Sequence, residues 1–248
     1  MGRAAIRGVA DVGGDMGVAA KGAIVGTLRG TKETSVEALD AINATAGSVI
    51  KATSEVTGNF GNAAKGAIQG AISGAKEVGL NATAATAAAA SGVLKSTSEV
   101  LSNTSKAGTS FIEASSGVIR SAIQGVVEVG GDVGAGAKGV VLGVLQGTKA
   151  SGKEALDTIS ATSSNVVKET ADVAGDIAKA AKGAVQGAIA GAKEISLDTT
   201  EAASASAAAT GALKAAGEIS SQAVQQVRKA VTGTISGVKV VVKEPFKK

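Results

Sequence analysis

The feature that most constrains this chain is a set of glycines spaced by four inside a recurring Ala-Lys-Gly block. The block occurs at Ala20, Ala64, Ala137 and Ala181. Its glycines fall at i, i+4 and i+8: Gly22/Gly26/Gly30, Gly66/Gly70/Gly74, Gly139/Gly143/Gly147 and Gly183/Gly187/Gly191. A second lysine follows the first after 11 residues in each copy, giving Lys21/Lys32, Lys65/Lys76, Lys138/Lys149 and Lys182/Lys193. The blocks lie 44 residues apart within each half of the chain and 117 apart between halves. Eleven residues complete almost three helical turns with about 20° of drift, so this period keeps one helix face in register. The period is helical.

Residues 4–80 laid over 121–197 without a gap give 43 identities in 77 positions. Beyond Leu80 the copies drift, with SGVLK at 91–95 and TGALK at 210–214 two residues out of step. This reads as a tandem duplication: a first repeat half over 1–120, a second over 121–240, and a basic tail over 241–248 that contains the single Pro245.

Projection of residues 20–60 at 100° per residue gathers Ile24, Leu28, Leu39, Ile42, Val49, Ile50, Val56 and Phe60 into one arc. Their partners in the second half are Val141, Leu145, Leu156, Ile159, Val166, Val167, Val173 and Ile177, all apolar. Val36, just outside the arc, becomes Lys153. These sixteen positions are the expected lipid- or core-facing stripe. The first glycine trio projects opposite it. Each Gly costs a helix interior roughly 1 kcal/mol relative to Ala, so the glycine faces need a reason. One is close helix-helix approach through small residues; another is low helicity in water, relieved on a surface. The expected fold is therefore all-α: long amphipathic Gly/Ala-rich helices, ordered by assembly or by a lipid surface. Gly13-Gly14-Asp15 and Gly130-Gly131-Asp132 read as paired helix starts with Asp as cap. Residues 57–62 read as a bend, whereas 174–179 retain only Gly175 and are expected to run on. An unbroken 44-residue helix would extend about 65 Å.

Composition closes off most chemistry. Without Cys or His there is no thiol nucleophile, disulfide framework or imidazole base or ligand, so neither a metal site nor a cofactor is expected. The three aromatics, Phe60, Phe111 and Phe246, offer no platform for stacking bases, and lysines alternate with acids, so nucleic acid is not an expected partner. Mean hydropathy of +0.26 and a net charge of +4 argue against a hydrophilic disordered tail. The string from Gly147 to Glu154 approaches a phosphate-binding loop. However, Glu154 replaces the required hydroxyl and no strand is expected before it. The chain is expected not to be an enzyme. The N-terminus has no apolar signal segment behind Arg3 and Arg7, and the longest uncharged run, Val78 to Leu94, falls short of the roughly 20 residues of a membrane span. The expected location is intracellular, peripheral to a membrane or lipid body.

The windows AKGAIVGTLRGTKETSVEAL (20–39), AKGAIQGAISGAKEVGL (64–80), AKGVVLGVLQGTKASGKEAL (137–156) and AKGAVQGAIAGAKEISLDTT (181–200) resemble the 11-residue repeat region of the perilipins, and the TKE and AKE steps are similar to the synuclein repeat. Both families coat lipid surfaces, so the resemblance implies adsorption on a lipid droplet or membrane. In that setting Lys21, Lys32, Lys65, Lys76, Lys138, Lys149, Lys182 and Lys193 would face headgroups, while the twelve block glycines would pack neighbouring helices. The leading expectation is a structural protein that coats a lipid surface. The alternative is a self-assembling all-helical scaffold, stalk or tube, homo-oligomeric and able to enclose a lipophilic cargo. A third, hydrophilic stress protectant reading fits the 11-residue period, but not the positive hydropathy.

Overall fold

The computed structural model describes residues 15–30, 35–55, 59–104, 109–148, 152–194 and 200–242. Among these are ten helices: α1 (Met16–Gly30), α2 (Ser35–Glu55), α3 (Phe60–Glu77), α4 (Ala82–Thr104), α5 (Thr109–Glu128), α6 (Val133–Thr148), α7 (Gly152–Asp172), α8 (Ile177–Glu194), α9 (Glu201–Ile219) and α10 (Ser221–Val231). A small antiparallel hairpin follows, β1 (Gly233–Ile235) paired with β2 (Val238–Val240). Apart from this hairpin the described chain is all-α.

Each helix touches the next and the next but one along the chain. The result is two layers, α1-α3-α5-α7-α9 and α2-α4-α6-α8-α10, linked by turns that reverse the chain. Within a layer neighbours run parallel. Gly17 lies against Gly66, Lys21 against Gly70, Asn43 against Gly92, Gly134 against Gly183 and Lys138 against Gly187. Every one of these pairs is separated by 49 residues. Charges follow the same register, with a base on the earlier helix and an acid on the later one. Arg29 meets Glu77 and Lys51 meets Glu99 at 2.8 Å, and Lys168 meets Glu218 at 2.6 Å. Solenoids are stabilised by such near-neighbour interfaces between similar units.

The helices run 11 to 23 residues, shorter than an unbroken 44-residue repeat. Ends are capped where the glycine-aspartate pairs lie. The Asp15 carboxylate accepts from Gly17 N at 2.7 Å, and that of Asp132 from Ala135 N at 2.9 Å. Gly130 supplies the positive φ of 64° that the turn before α6 requires. Residues 174–179 were expected to run on, but they break instead. Ala174 takes a φ of 54°, Gly175 N donates to Thr170 O at 2.8 Å, and Asp176 caps α8 through Ala178 N and Lys179 N. One cap and one small residue suffice, because the next helix gains a layer of packing by turning back.

The core is built from Ala, Val, Ile and Leu and passes continuously across residue 120, through Val118, Ile119, Ala122, Ile123 and Val126. Helix α6 feeds two clusters, Val140 and Val144 entering one and Val141 and Leu145 the other. Buried threonines are satisfied inside their own helices: Thr53, Thr97 and Thr170 each donate to the carbonyl four residues back. At the C-terminal end the hairpin packs on α9, and Ile235 and Val240 are buried.

Candidate functional site

The apolar stripe faces the interior of the chain's own stack. Ile24, Leu28, Ile42, Val49, Ile50, Val141, Leu145, Ile159, Val166 and Val167 are buried. Leu39, Phe60, Leu156, Val173 and Ile177 are partly buried against the same clusters. Val56 lies outside the described residues. Of the two orientations open in the sequence, toward core or toward lipid, the folded chain takes the core.

Three of the four glycine trios sit where helices meet at close range. On α3, a Cβ at Gly66 would fall on the Gly17 carbonyl, at Gly70 it would lie 2.7 Å from Lys21 O, and at Gly74 2.6 Å from a Leu28 methyl. On α6, Gly139 and Gly143 press on the carbonyls of Ala87 and Ser91 of α4, and Gly147 lies 2.5 Å from Lys95 O by the same construction. On α8, Gly183 meets Gly134, and Gly187 would place a Cβ 2.5 Å from Lys138 O. The last of that trio, Gly191, is buried and would place one 2.5 Å from a Leu145 methyl, as Gly74 does against Leu28. Helix packing therefore accounts for these nine residues. The fourth trio departs from the expected packing role: Gly22, Gly26 and Gly30 on α1 are exposed, with nothing within 4 Å. On the helical wheel they lie opposite the face that α1 turns to α3, at the edge of the odd layer among the described residues.

The lysines do not form one continuous headgroup-facing row. Lys65 pairs with Glu128 at 2.7 Å, Lys193 with Glu201 at 3.3 Å, and Lys76 Nζ donates to Val129 O at 3.4 Å. Lys32 and Lys149 lie outside the described residues. Lys21, Lys138 and Lys182 line two clefts at the N-terminal ends of the helices. The first cleft, about 360 Å³, is lined by Asp15, Gly17, Val18, Lys21, Asn62, Lys65, Gly66, Gln69 and Glu128. The second, about 500 Å³, carries Asp132, Gly134, Ala135, Lys138, Lys179, Lys182, Gly183 and Gln186, which stand 117 residues beyond the first eight. Asn81, Thr83, Ala84 and Ala87 of α4 complete it.

Among the described residues, two acids have shifted titration. Burial raises the Glu169 carboxyl above its ordinary value near 4.5, against the attraction of Arg120. Arg120 Nε stands 3.8 Å from Glu169 Oε2, close enough to attract but beyond hydrogen-bond reach, and that oxygen is buried without a hydrogen bond. Glu218 is lowered by its hydrogen bond and charge interaction with Lys168. Neither acid lies in a cleft lining. The phosphate-loop-like string also serves packing: Gly147-Thr148 ends α6 against α4 and Glu154 lies in α7, with helices on both sides.

The hairpin and the cleft residues Lys179, Gln186, Gln69 and Glu128 were not singled out in the sequence. Ser236-Gly237 between Thr234-Ile235 and Val238-Lys239 is a hairpin signal that was available. Among the described residues no helix is long and apolar enough to cross a membrane. No family model matches the sequence, and none of the curated proteins matches it.

Proposed function

We propose that this chain is a non-enzymatic structural protein, a stacked-helix scaffold that associates with a second copy of itself through the glycine face of α1. The observation that carries the reading is the contrast among the four trios. Three receive a neighbouring helix at close range, whereas Gly22, Gly26 and Gly30 are exposed. Beside them stands Val18, 69% exposed, where Ala135 at the matching place in α6 is buried. The other end of the stack carries the hairpin, so the ends are unlike and the α1 faces meet each other. A two-fold axis along the helices keeps the two α1 helices parallel, as neighbours are within a layer, and the contact closes as a dimer rather than a filament.

The patch is small. A 15-residue helix is about 22 Å long and ~10 Å wide, a few hundred Å² against the ~800 Å² per partner of a standard interface. Association is therefore weak and concentration-dependent. Sedimentation over a wide concentration range tests it: the average mass should climb from 23.7 kDa toward twice that value, and Gly26→Glu should stay monomeric while remaining folded. A wild type that stays monomeric at the highest concentration, or a variant that associates equally, refutes the reading.

Lipid coating is a second reading, supported by the resemblance of the four block windows to lipid-coating repeats and by a core of small side chains in glycine-bearing helices. It requires the stack to open and turn Ile24, Leu28 and their partners outward. Anionic vesicles should then separate α1 from α3.

A further inference from the structure

The two clefts are lined by corresponding residues but differ in charge and occupancy. In the first, the Glu128 carboxylate is held by Lys65 Nζ at 2.7 Å, by Gln69 Nε2 at 2.9 Å and by Gln124 Nε2 at 2.9 Å. Its ionised lining balances, Lys21 and Lys65 against Asp15 and Glu128. In the second, Lys182 and Gln186 stand at the places of Lys65 and Gln69, and Lys179 replaces Asn62. Among the described lining residues no acid stands beside Lys182 and Gln186 as Glu128 stands beside Lys65 and Gln69. Lys138, Lys179 and Lys182 face a single lining acid, Asp132, whose Oδ1 already caps α6. Counting Asp176, 3.5 Å from Lys179, the surplus stays positive. Among the described residues Lys138 and Lys182 form no ion pair, and the Gln186 side chain forms no hydrogen bond.

We infer that the cleft between α4, α6 and α8 binds an oxyanion, a carboxylate or phosphate group, and that Glu128 is the built-in occupant of the equivalent place in the first cleft. Lys182 and Gln186 grip the anion as Lys65 and Gln69 grip Glu128, one charge-assisted hydrogen bond and one amide hydrogen bond. Lys138 and Lys179 supply the remaining positive field. The space of about 500 Å³ accommodates a small polyanion. The inference does not depend on self-association through α1, which lies across the first cleft.

Amide and side-chain NMR shifts of the full chain test it, with titrations of inorganic phosphate and of succinate at constant ionic strength. The Gln186 side-chain amide and the amides of Gly134 and Lys138 should shift and saturate, and Lys182→Gln should weaken binding at least tenfold. Glu128→Ala should open the first cleft, so that Gln69 and Gly17 respond to the same ligands. Retention on vesicles containing phosphatidate, but not on pure phosphatidylcholine, separates the sources. Retention lost in Lys182→Gln assigns the anion to a headgroup; binding of the free anions without retention assigns it to a soluble ligand. Absence of both, equal binding by Lys182→Gln, or a Glu128→Ala chain whose first cleft stays silent overturns the inference.

Discussion

Replacing one glycine in each of two near-identical blocks separates intrinsic helix preference from packing. Gly22→Ala changes an exposed helix-interior position where nothing lies within 4 Å. It should gain the roughly 1 kcal/mol by which Ala exceeds Gly in helices. At about 2–4 °C per kcal/mol for a chain of this size, its melting temperature should rise by ~2–4 °C. Gly66→Ala gains the same preference, but its methyl falls on the Gly17 carbonyl of α1. A backbone oxygen cannot rotate aside, so α1 must move away from α3 and lose the contacts that bury Ala20, Ile24 and Leu28. Overpacking of this kind costs typically 1–3 kcal/mol, which after the helix-preference gain leaves Gly66→Ala about 0–2 kcal/mol less stable and lowers its melting temperature by up to ~8 °C. Gly183→Ala, facing Gly134, should behave like Gly66→Ala. Thermal melts followed by circular dichroism at dilute, monomeric concentration give the answer. If Gly22→Ala and Gly66→Ala shift in the same direction by similar amounts, the glycine faces are not packing surfaces and the reasoning fails.

Burial raises Glu169, so the native chain holds that proton more tightly than the unfolded one. Its contribution to stability is therefore highest below the ordinary carboxylate value and falls as pH rises through the window from there to the raised value. Glu169→Gln should accordingly raise the melting temperature at neutral pH and leave it little changed near pH 4; an equal effect at both would contradict the assignment. Ala174, at a φ of 54°, bears the ~1–2 kcal/mol penalty of a left-handed residue with a Cβ. Ala174→Gly should stabilise by about 1 kcal/mol, against the loss usual for Gly elsewhere, and denaturant unfolding midpoints read the sign.

Helix type and the buried face were legible because both rest on short-range periodicity. Ile24, Leu28 and Ile42 recur on one side of a helix whatever covers them, and the glycine spacing marked a close approach before its partner was visible. Periodicity could not say what covers the stripe, since lipid and a second helix layer demand the same apolar arc. The layer register was written in pairs such as Arg29 and Glu77 or Lys51 and Glu99, but charges 48 residues apart acquire meaning only once the turns are placed. Those turns hid well: Ala174-Gly175 carries a single glycine, yet it reverses the chain. The clefts were illegible for a related reason, as Lys182 and Gln186 gain their significance from Glu128, an acid on a different helix that lines the other cleft.

The central claim is that α1 and α3 stand side by side in parallel. The chain has no cysteine, so spin labels at Arg29→Cys and Glu77→Cys give an unambiguous distance in solution. These side chains meet at 2.8 Å in the stack. With helix axes about 8–10 Å apart, the labels should lie within roughly 20 Å of each other. One continuous amphipathic helix would instead place positions 48 residues apart at about 72 Å. A short, narrow distance distribution in buffer is the result expected here. A broad one centred beyond about 50 Å would mean that α1 and α3 do not stack, and the fold described here would be wrong.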